Sequence, residues 1–308
     1  MIVVFGSLNI DLVFPVRALP RPGETALADT YQRAAGGKGG NQAAAAALAG
    51  AECRMVGCVG DDEFGNWVLA RLASANVDVG AVARVAAPTG CAAVAVDSHG
   101  GNQIIVASGA NLELDAAQVP DDWLGTDTTL VMQFEVPLER NWALARRARA
   151  RNARLSLNAA PAQPIPGGLG ALFDVLIVNE HEAAAVAADL RLTAATAEAL
   201  LRGLAARYET RCIMTLGAQG ALAAGPQGLS RIGALEVRAV DTTAAGDAFV
   251  GAYAAALDRG LDADAALHRA SIAGGLACTK AGALPSIPAA GEVEAHLNRL
   301  APPIRIGE

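Results

Sequence analysis

Residues 241–250 read DTTAAGDAFV: two carboxylates bracket a run of small residues, and apolar residues at helical spacing follow. Small side chains leading into a helix leave backbone N–H groups open, and such a helix start binds anions through those amides and the helix dipole. An anion held there lies beside Asp247, whose carboxylate can orient an attacking hydroxyl and take its proton. Asp247 also suits a plain helix N-cap. A cap, however, needs no room for a neighbour, and Ala244, Ala245 and Gly246 leave that room.

Two further stretches carry polar chemistry. In AAGGKGGNQ (34–42), Gly36, Gly37, Gly39 and Gly40 let a backbone approach a ligand closely, with a helix expected from about Asn41. The spacing fits neither the phosphate loop GxxxxGK[ST] nor the dinucleotide fingerprint GxGxxG. Lys38 is one of only two lysines, with Lys280, in a chain that otherwise uses arginine. A slim ammonium on a flexible stem is therefore expected to serve at a site. In NEHE (179–182), Asn179 and Glu182 could present hard oxygens to Mg²⁺, although the same pattern also makes a capped helix start. His181 points elsewhere in this reading. The four histidines are scattered, supporting neither a zinc site nor a Ser–His–Asp triad.

The elements that must position these groups alternate. Apolar runs at 2–7, 55–60, 130–135, 154–158, 174–179 and 212–217 predict strands buried on both faces. Helical patterns lie between them, at Asn41–Leu48, Gly65–Ala75, Leu138–Arg151, Glu180–Ala188, Ala194–Arg207 and Asp247–Leu257. The fold class expected is a three-layer α/β sandwich with a largely parallel central sheet. Asn9, Glu135, Asn158, Asn179 and Thr215 fall at or just past strand carboxyl ends, the edge where open α/β sheets bind ligands. Shorter alternating runs, including ETALADTYQ, with turn signals at Pro20–Gly23 and His99–Gly101, predict a small antiparallel β lid. The expected organisation is one α/β domain over 1–308 with a discontinuous lid from about 11–35 and 87–110.

Composition bounds the partners. With 53% hydrophobic and 18% charged residues, the chain can bury a large core, and its formal charge of −7 argues against nucleic-acid binding. No apolar run reaches the roughly 20 residues of a membrane helix, and the opening MIVVFGSLNID reads as a strand rather than a signal peptide, so a cytoplasmic location is expected. Cys53, Cys58, Cys91, Cys212 and Cys278 form no CxxC pair and are expected as reduced thiols.

Taken together, GSLNIDLV, PGET, GGKGGNQA, VGCVGDDEFG, SGAN, QFEVP, NEHE, TLGAQG, DTTAAGDAF and KAGALPSIP resemble the ribokinase-like (PfkB) carbohydrate kinases along nearly the whole chain. The resemblance implies ATP-dependent phosphorylation of a primary hydroxyl, with the 5-hydroxyl of D-ribose as the expected acceptor. In that family reading Asn9, Asp11, Gly37, Lys38, Asn41 and Glu135 match sugar-binding positions, Asp247 the catalytic base, and Ala244, Ala245 and Gly246 the anion hole. Asn179, Thr215, Gly217, Gly220, Gly246 and Ser271 fall at nucleotide positions, and Asn179 and Glu182 at those organising Mg²⁺ through water. Asp241, Thr243, Ala277, Lys280, Gly282 and Ser286 match ligands of a monovalent cation, normally K⁺, with Lys280 contributing its carbonyl. The resemblance further implies a homodimer through the lid. Other readings are a family kinase for fructose, another pentose, a deoxy sugar or a nucleoside, and a catalytically silent sugar-binding regulator. An NAD-dependent oxidoreductase conflicts with the absence of GxGxxG after the first strand.

Overall fold

The first strand, β1 (Ile2–Phe5), shows how the sequence builds its layers. All four side chains are buried, yet Ile2 and Val4 join one hydrophobic cluster while Val3 and Phe5 join another. Successive side chains of a strand point to opposite faces, so a continuous apolar run requires cover on both. The same division recurs along the other central strands of the computed structural model, which describes residues 1–97, 99 and 101–307.

The main sheet runs in the order β15 (Ile304–Arg305), β14 (Gly228–Ile232), β13 (Ala221–Gly225), β12 (Arg211–Thr215), β11 (Val175–Asn179), β10 (Arg154–Asn158), β9 (Thr129–Met132), β1 and β4 (Cys53–Val56). Pairings from β4 through β12 are parallel, and those from β12 through β15 antiparallel. One face is covered by α1 (Lys38–Leu48), α2 (Glu63–Ser74), α6 (Ala245–Asp258), α7 (Ala263–Ala277) and α8 (Ala290–Ala295). The other is covered by α3 (Leu138–Arg149), α4 (Glu180–Asp189) and α5 (Ala197–Tyr208). The three-layer sandwich with a largely parallel sheet is therefore present. The antiparallel hairpin β13–β14 and helix α7 are additions that the apolar pattern does not announce.

A second sheet has the order β3 (Gln32–Gly36), β2 (Asn9–Pro15), β7 (Gly90–Val96) and β8 (Asn102–Ala107). Its two outer pairings are antiparallel and the central pair β2–β7 is parallel, because two separate segments of chain meet there. Residues 24–31 of the predicted strand ETALADTYQ form no strand, and the ladder with β2 begins only at Gln32. Gly100 of the expected His99–Gly101 turn lies outside the described residues. The run at 55–60 is split: β4 stays in the main sheet, while β5 (Cys58–Gly60) pairs with β6 (Ala83–Val85). Asp62 holds this junction, accepting from Gly65 N at the start of α2 and from Thr89 N and Oγ1 before β7. The Arg33 guanidinium of β3 stands 5.6 Å from the centroid of the Trp67 ring on α2, tying the small sheet to the body.

Helices α1 and α6 bring the two glycine-rich motifs together. Ala43–Ala47 and Ala254–Ala256 are small enough for the helices to approach closely. A Cβ on Gly251 would stand 2.4 Å from Ala45 Cβ and 2.6 Å from Gln42 O. Gly251→Ala must therefore separate the helices. We expect urea unfolding to register a loss of about 1–3 kcal/mol, and an unchanged midpoint would show that the helices can part freely.

Candidate active site

Each polar group reaches the site for a local reason. Gly37 adopts φ 84° at the N-cap of α1, which starts the helix at Lys38, three residues before the expected Asn41. A Cβ on Gly36 would strike Asp11 Oδ2 at 2.2 Å, and one on Gly39 would lie 2.6 Å from Ser7 N. These glycines thus admit the β2 carboxylate on one side and the chain after β1 on the other. Gly40 is less constrained, with only a Leu8 methyl at 3.1 Å.

On the side of the small sheet, Glu135 Oε2 accepts from Ser7 Oγ (2.6 Å) and from the Lys38 backbone amide (2.9 Å). Asn9 is buried, its Oδ1 held by Asn111 Nδ2 at 2.8 Å, and Asn111 Oδ1 accepts from Leu8 N. Asp11 lies in the same register of the small sheet. Its carboxyl is pushed up to about 6 by burial first, and then by the charges of Glu135 and Asp247.

Asp247 occupies the first turn of α6 and is 7% exposed. It does not cap its helix. Asn41 Nδ2 donates to Oδ2 at 3.0 Å and Gln42 Nε2 to Oδ1 at 2.9 Å. Burial raises its pKa above the ordinary carboxylate value, while Lys38 and the two amides pull the other way. Burial also pulls the Lys38 ammonium down, but Asp247, Glu135 and Glu182 outweigh it and hold the charge. The turn before α6 passes through Ala244 at φ 60°, and the Ala245 amide closes it onto Thr242 O at 3.2 Å. Among the described residues no hydrogen bond occupies the amides of Ala244, Gly246 or Asp247. Those three, rather than Ala245, are the open donors of the turn.

Asn158, Asn179 and Thr215 are the last residues of β10, β11 and β12, as the carboxyl-edge reading expects. They line a cavity of about 240 Å³ with Lys38, Glu182, Gly246 and Asp247. Asn179 and Glu182 form a reciprocal capping box at the start of α4 (2.9 and 2.7 Å), using only Glu182 Oε2. Burial raises the Glu182 carboxyl, offset in part by the Asn179 amide and Lys38. Beyond Thr215 and Gly246 opens a second cleft of about 500 Å³, lined by Gly217, Gly220, Leu235, Val237, Phe249, Ser271 and Gly274 among others. Gly217 and Gly220 both take positive φ, and the buried Ser271 hydroxyl has no partner among the described residues. A mainly apolar cleft edged by Thr215, Glu236 and Thr242 suits a flat heterocycle with a polar edge.

Behind the α6 turn, Asp241 accepts from Thr243 N and Oγ1 (2.9 and 2.6 Å) and from Gly282 N (2.9 Å). Burial would raise its carboxyl, but these hydrogen bonds hold it below the usual range. Val240 N joins the same two loops through Cys278 O at 2.8 Å. Ala277 ends α7, and the Ser286 hydroxyl donates to Ala283 O. The Lys280 ammonium turns away to Glu292 at 2.8 Å, so only its main chain is left for the loop. Ser7, Gln42, Asn111 and Gln133 also belong to the site. Their uncharged side chains gave no signal beyond membership of the quoted motifs. The five cysteines are free thiols, with Cys53, Cys58 and Cys212 buried and Cys91 and Cys278 half-buried.

A buried carboxylate beside open amides, between a polar pocket and a nucleotide-sized cleft, defines a small-molecule kinase on an α/β sandwich. Over residues 1–290 the sequence matches the pfkB family carbohydrate kinases, and the chain belongs to that family. The ribokinase of Schizosaccharomyces pombe is 36% identical over 96% of this chain and 98% of its own. That of Lactococcus lactis is 33% identical over 96% and 97%. Among solved structures, ribokinase from Thermotoga maritima superposes with a TM-score of 0.90 at 35% identity, covering 96% of this chain and 99% of its own. Arabidopsis thaliana ribokinase complexed with ribose and ATP gives 0.87 at 30% identity, over 96% and 98%.

The raised carboxyl of Asp11 carries a stability cost with a defined sign. Its folded value near 6 exceeds the ordinary 3.8, so its contribution is favourable below about pH 4 and lost as pH rises through 6. Asp11→Asn should therefore be more stable than wild type at pH 8, by at most about 3 kcal/mol. The gap should close toward pH 4. Urea melts across that range check it, and a pH-independent gap would refute the assignment.

Proposed function

We propose that this protein is an ATP-dependent ribokinase, transferring the γ-phosphoryl group of ATP to the 5-hydroxyl of D-ribose. The observation that carries the reading is Asp247, buried beside the open amides of the α6 turn in a polar cavity that shares Thr215 and Gly246 with the nucleotide-sized cleft. The ribokinase relatives on which it draws span nearly their whole length and nearly all of this chain.

Asn9, Asp11, Gly37, Lys38, Asn41 and Glu135 hold the sugar, where paired donors and acceptors select one hydroxyl among several. The 5-hydroxyl meets Asp247, which takes its proton as the oxygen attacks. The amides of Ala244, Gly246 and Asp247, with the Lys38 ammonium, stabilise charge on the transferring group in line with it. Thr215, Gly217, Gly220 and Ser271 seat the nucleotide, and Asn179 lies at the junction of the two cavities. Glu182 keeps Oε1 free of hydrogen bonds among the described residues, which fits a hard oxygen holding Mg²⁺ through water. When bound, the ion neutralises the nucleotide phosphates. Asp241 and the loops at 243 and 277–286 supply oxygens suited to K⁺ behind the α6 turn, where a cation would firm the amide geometry.

The chain acts in this reading as one cytoplasmic α/β unit over 1–308, the small sheet serving as lid. Edge strand β8 leaves Ile104, Ile105 and Val106 exposed, Ile105 at 75%. An open apolar edge favours pairing with a second copy, so the enzyme is proposed to be a homodimer through the lid. Light scattering after size exclusion should give a dimer for wild type and a monomer for Ile105→Lys. A wild-type monomer would overturn the arrangement.

The activity test is ADP release with ATP, Mg²⁺ and K⁺ across ribose, deoxyribose, fructose and nucleosides. Ribose should give the highest kcat/KM, and Asp247→Ala should lower kcat by about 10²–10⁴-fold. Replacing K⁺ with Na⁺ should reduce turnover. Preference for another acceptor would move the substrate while keeping the chemistry, and a fully active Asp247→Ala would remove the base.

A further inference from the structure

Behind the catalytic carboxylate lies a chain of buried amides whose polarity is set from one end. The Ile177 carbonyl can only accept, so Asn158 turns Nδ2 towards it (3.2 Å) and presents Oδ1 to Gln42. Gln42 must then face Asn158 and Asp247 with Nε2 (3.0 and 2.9 Å), leaving Oε1 to accept from Gln133 Nε2 at 2.8 Å. Gln42 and Gln133 are both 0% exposed, and Asn141 Nδ2 fixes the Gln133 main-chain carbonyl at 2.6 Å. The end of the chain is Gln133 Oε1, which has no partner among the described residues and abuts Gly6, where a Cβ would stand 1.9 Å away. Gln42 and Gln133 are closed to water, so these two amides are held by their neighbours alone.

We propose that Gln42, its polarity set through Asn158 and its Oε1 met by Gln133, is a positioning residue for the catalytic base. Its amide fixes the rotation of the Asp247 carboxylate, together with Asn41 on the other oxygen, and favours the ionised form that can accept a proton. With Gln42 turned over, Oε1 would oppose the carboxylate, and only a protonated Asp247 could satisfy it. Asn158 prevents that reversal, because with its Nδ2 held by the Ile177 carbonyl a turned Gln42 would set Oε1 against Asn158 Oδ1. Gln133 meets the Oε1 that remains and so holds Gln42 in place from one residue further away. The inference rests on Asp247 acting as base.

The test compares Gln42→Met and Gln133→Met with wild type for kcat, sugar KM and the pH profile of kcat/KM. Gln42→Met should lower kcat by about 10–100-fold through a misplaced base, leave KM within about twofold, and move the acid limb to higher pH because a donor to the carboxylate is gone. Gln133→Met, which leaves the buried Gln42 Oε1 without its donor and loosens the residue, should lower kcat less and move the limb the same way. A Gln133→Met enzyme with wild-type kcat and pH profile overturns the proposal, as does a fall in kcat with no shift of the limb. Should either variant not fold, the side-chain amide ¹⁵N resonances of glutamine in the wild-type enzyme decide. Two of them must shift with the midpoint of the acid limb, and a set that ignores that midpoint overturns the inference. An active Asp247→Ala would instead sink the kinase mechanism itself, so the two failures are distinguishable.

Discussion

The site depends on two helices packed side by side with their N-termini at the same end, under one edge of a parallel sheet. Helix α1 brings Lys38, Asn41 and Gln42, and helix α6 brings the open amides and Asp247. Both helix starts favour negative charge, and both lie where a carboxylate and a transferring anion must share one small volume. That approach is possible because the contact between the helices is built from alanine and from Gly251. A larger side chain at the crossing would widen the gap between the amides and the carboxylate they hold.

The electrostatics follow from this crowding. Glu135, Glu182 and Asp247 gather around a single ammonium with Asp11 beyond Glu135 and Asp247, and burial raises Asp11, Glu182 and Asp247 above their ordinary values. Removed from water and short of positive charge, the pocket favours ligands that bring donors, as the hydroxyls of a polyol do. The neighbouring cleft has the opposite character, a mainly apolar slot with few polar groups at its rim. Gly246 and Thr215 line both cavities, so the polar and apolar ligands meet across very little protein.

Much of this was readable in the chain, for identifiable reasons. Strands such as Val175–Asn179 announce themselves because burial on both faces demands an unbroken apolar run, and their polar last residues mark the ligand edge. Strand β13, Ala221–Gly225, carries mostly alanine and is paired by its neighbours rather than by propensity. Helix α7 is obscured by Gly274 and Gly275, yet both line the cleft, and a Cβ on Gly275 would crowd Leu235 at 2.8 Å. ETALADTYQ alternates like a strand, but nothing pairs with residues 24–31. At the site, charged and glycine-rich motifs identify Lys38 and Asp247, whereas Gln42 and Gln133 gain significance only from burial and from what their amides touch.

The scarcity of lysine has a practical meaning once the two side chains are placed. One ammonium stands among the buried carboxylates of the pocket, and the other is paired to Glu292, which caps α8 through Ala289 N. The remaining positive side-chain charges are guanidiniums, which do not react with acylating reagents under mild conditions. Amine-directed chemistry on this protein is therefore confined to the chain terminus, Lys280 and Lys38. Attachment to a resin or a dye through amines would fall first on the terminus and on Lys280, because the carboxylates around Lys38 keep it protonated. The pocket itself is thereby spared, and such a protein can be immobilised at one or two known places.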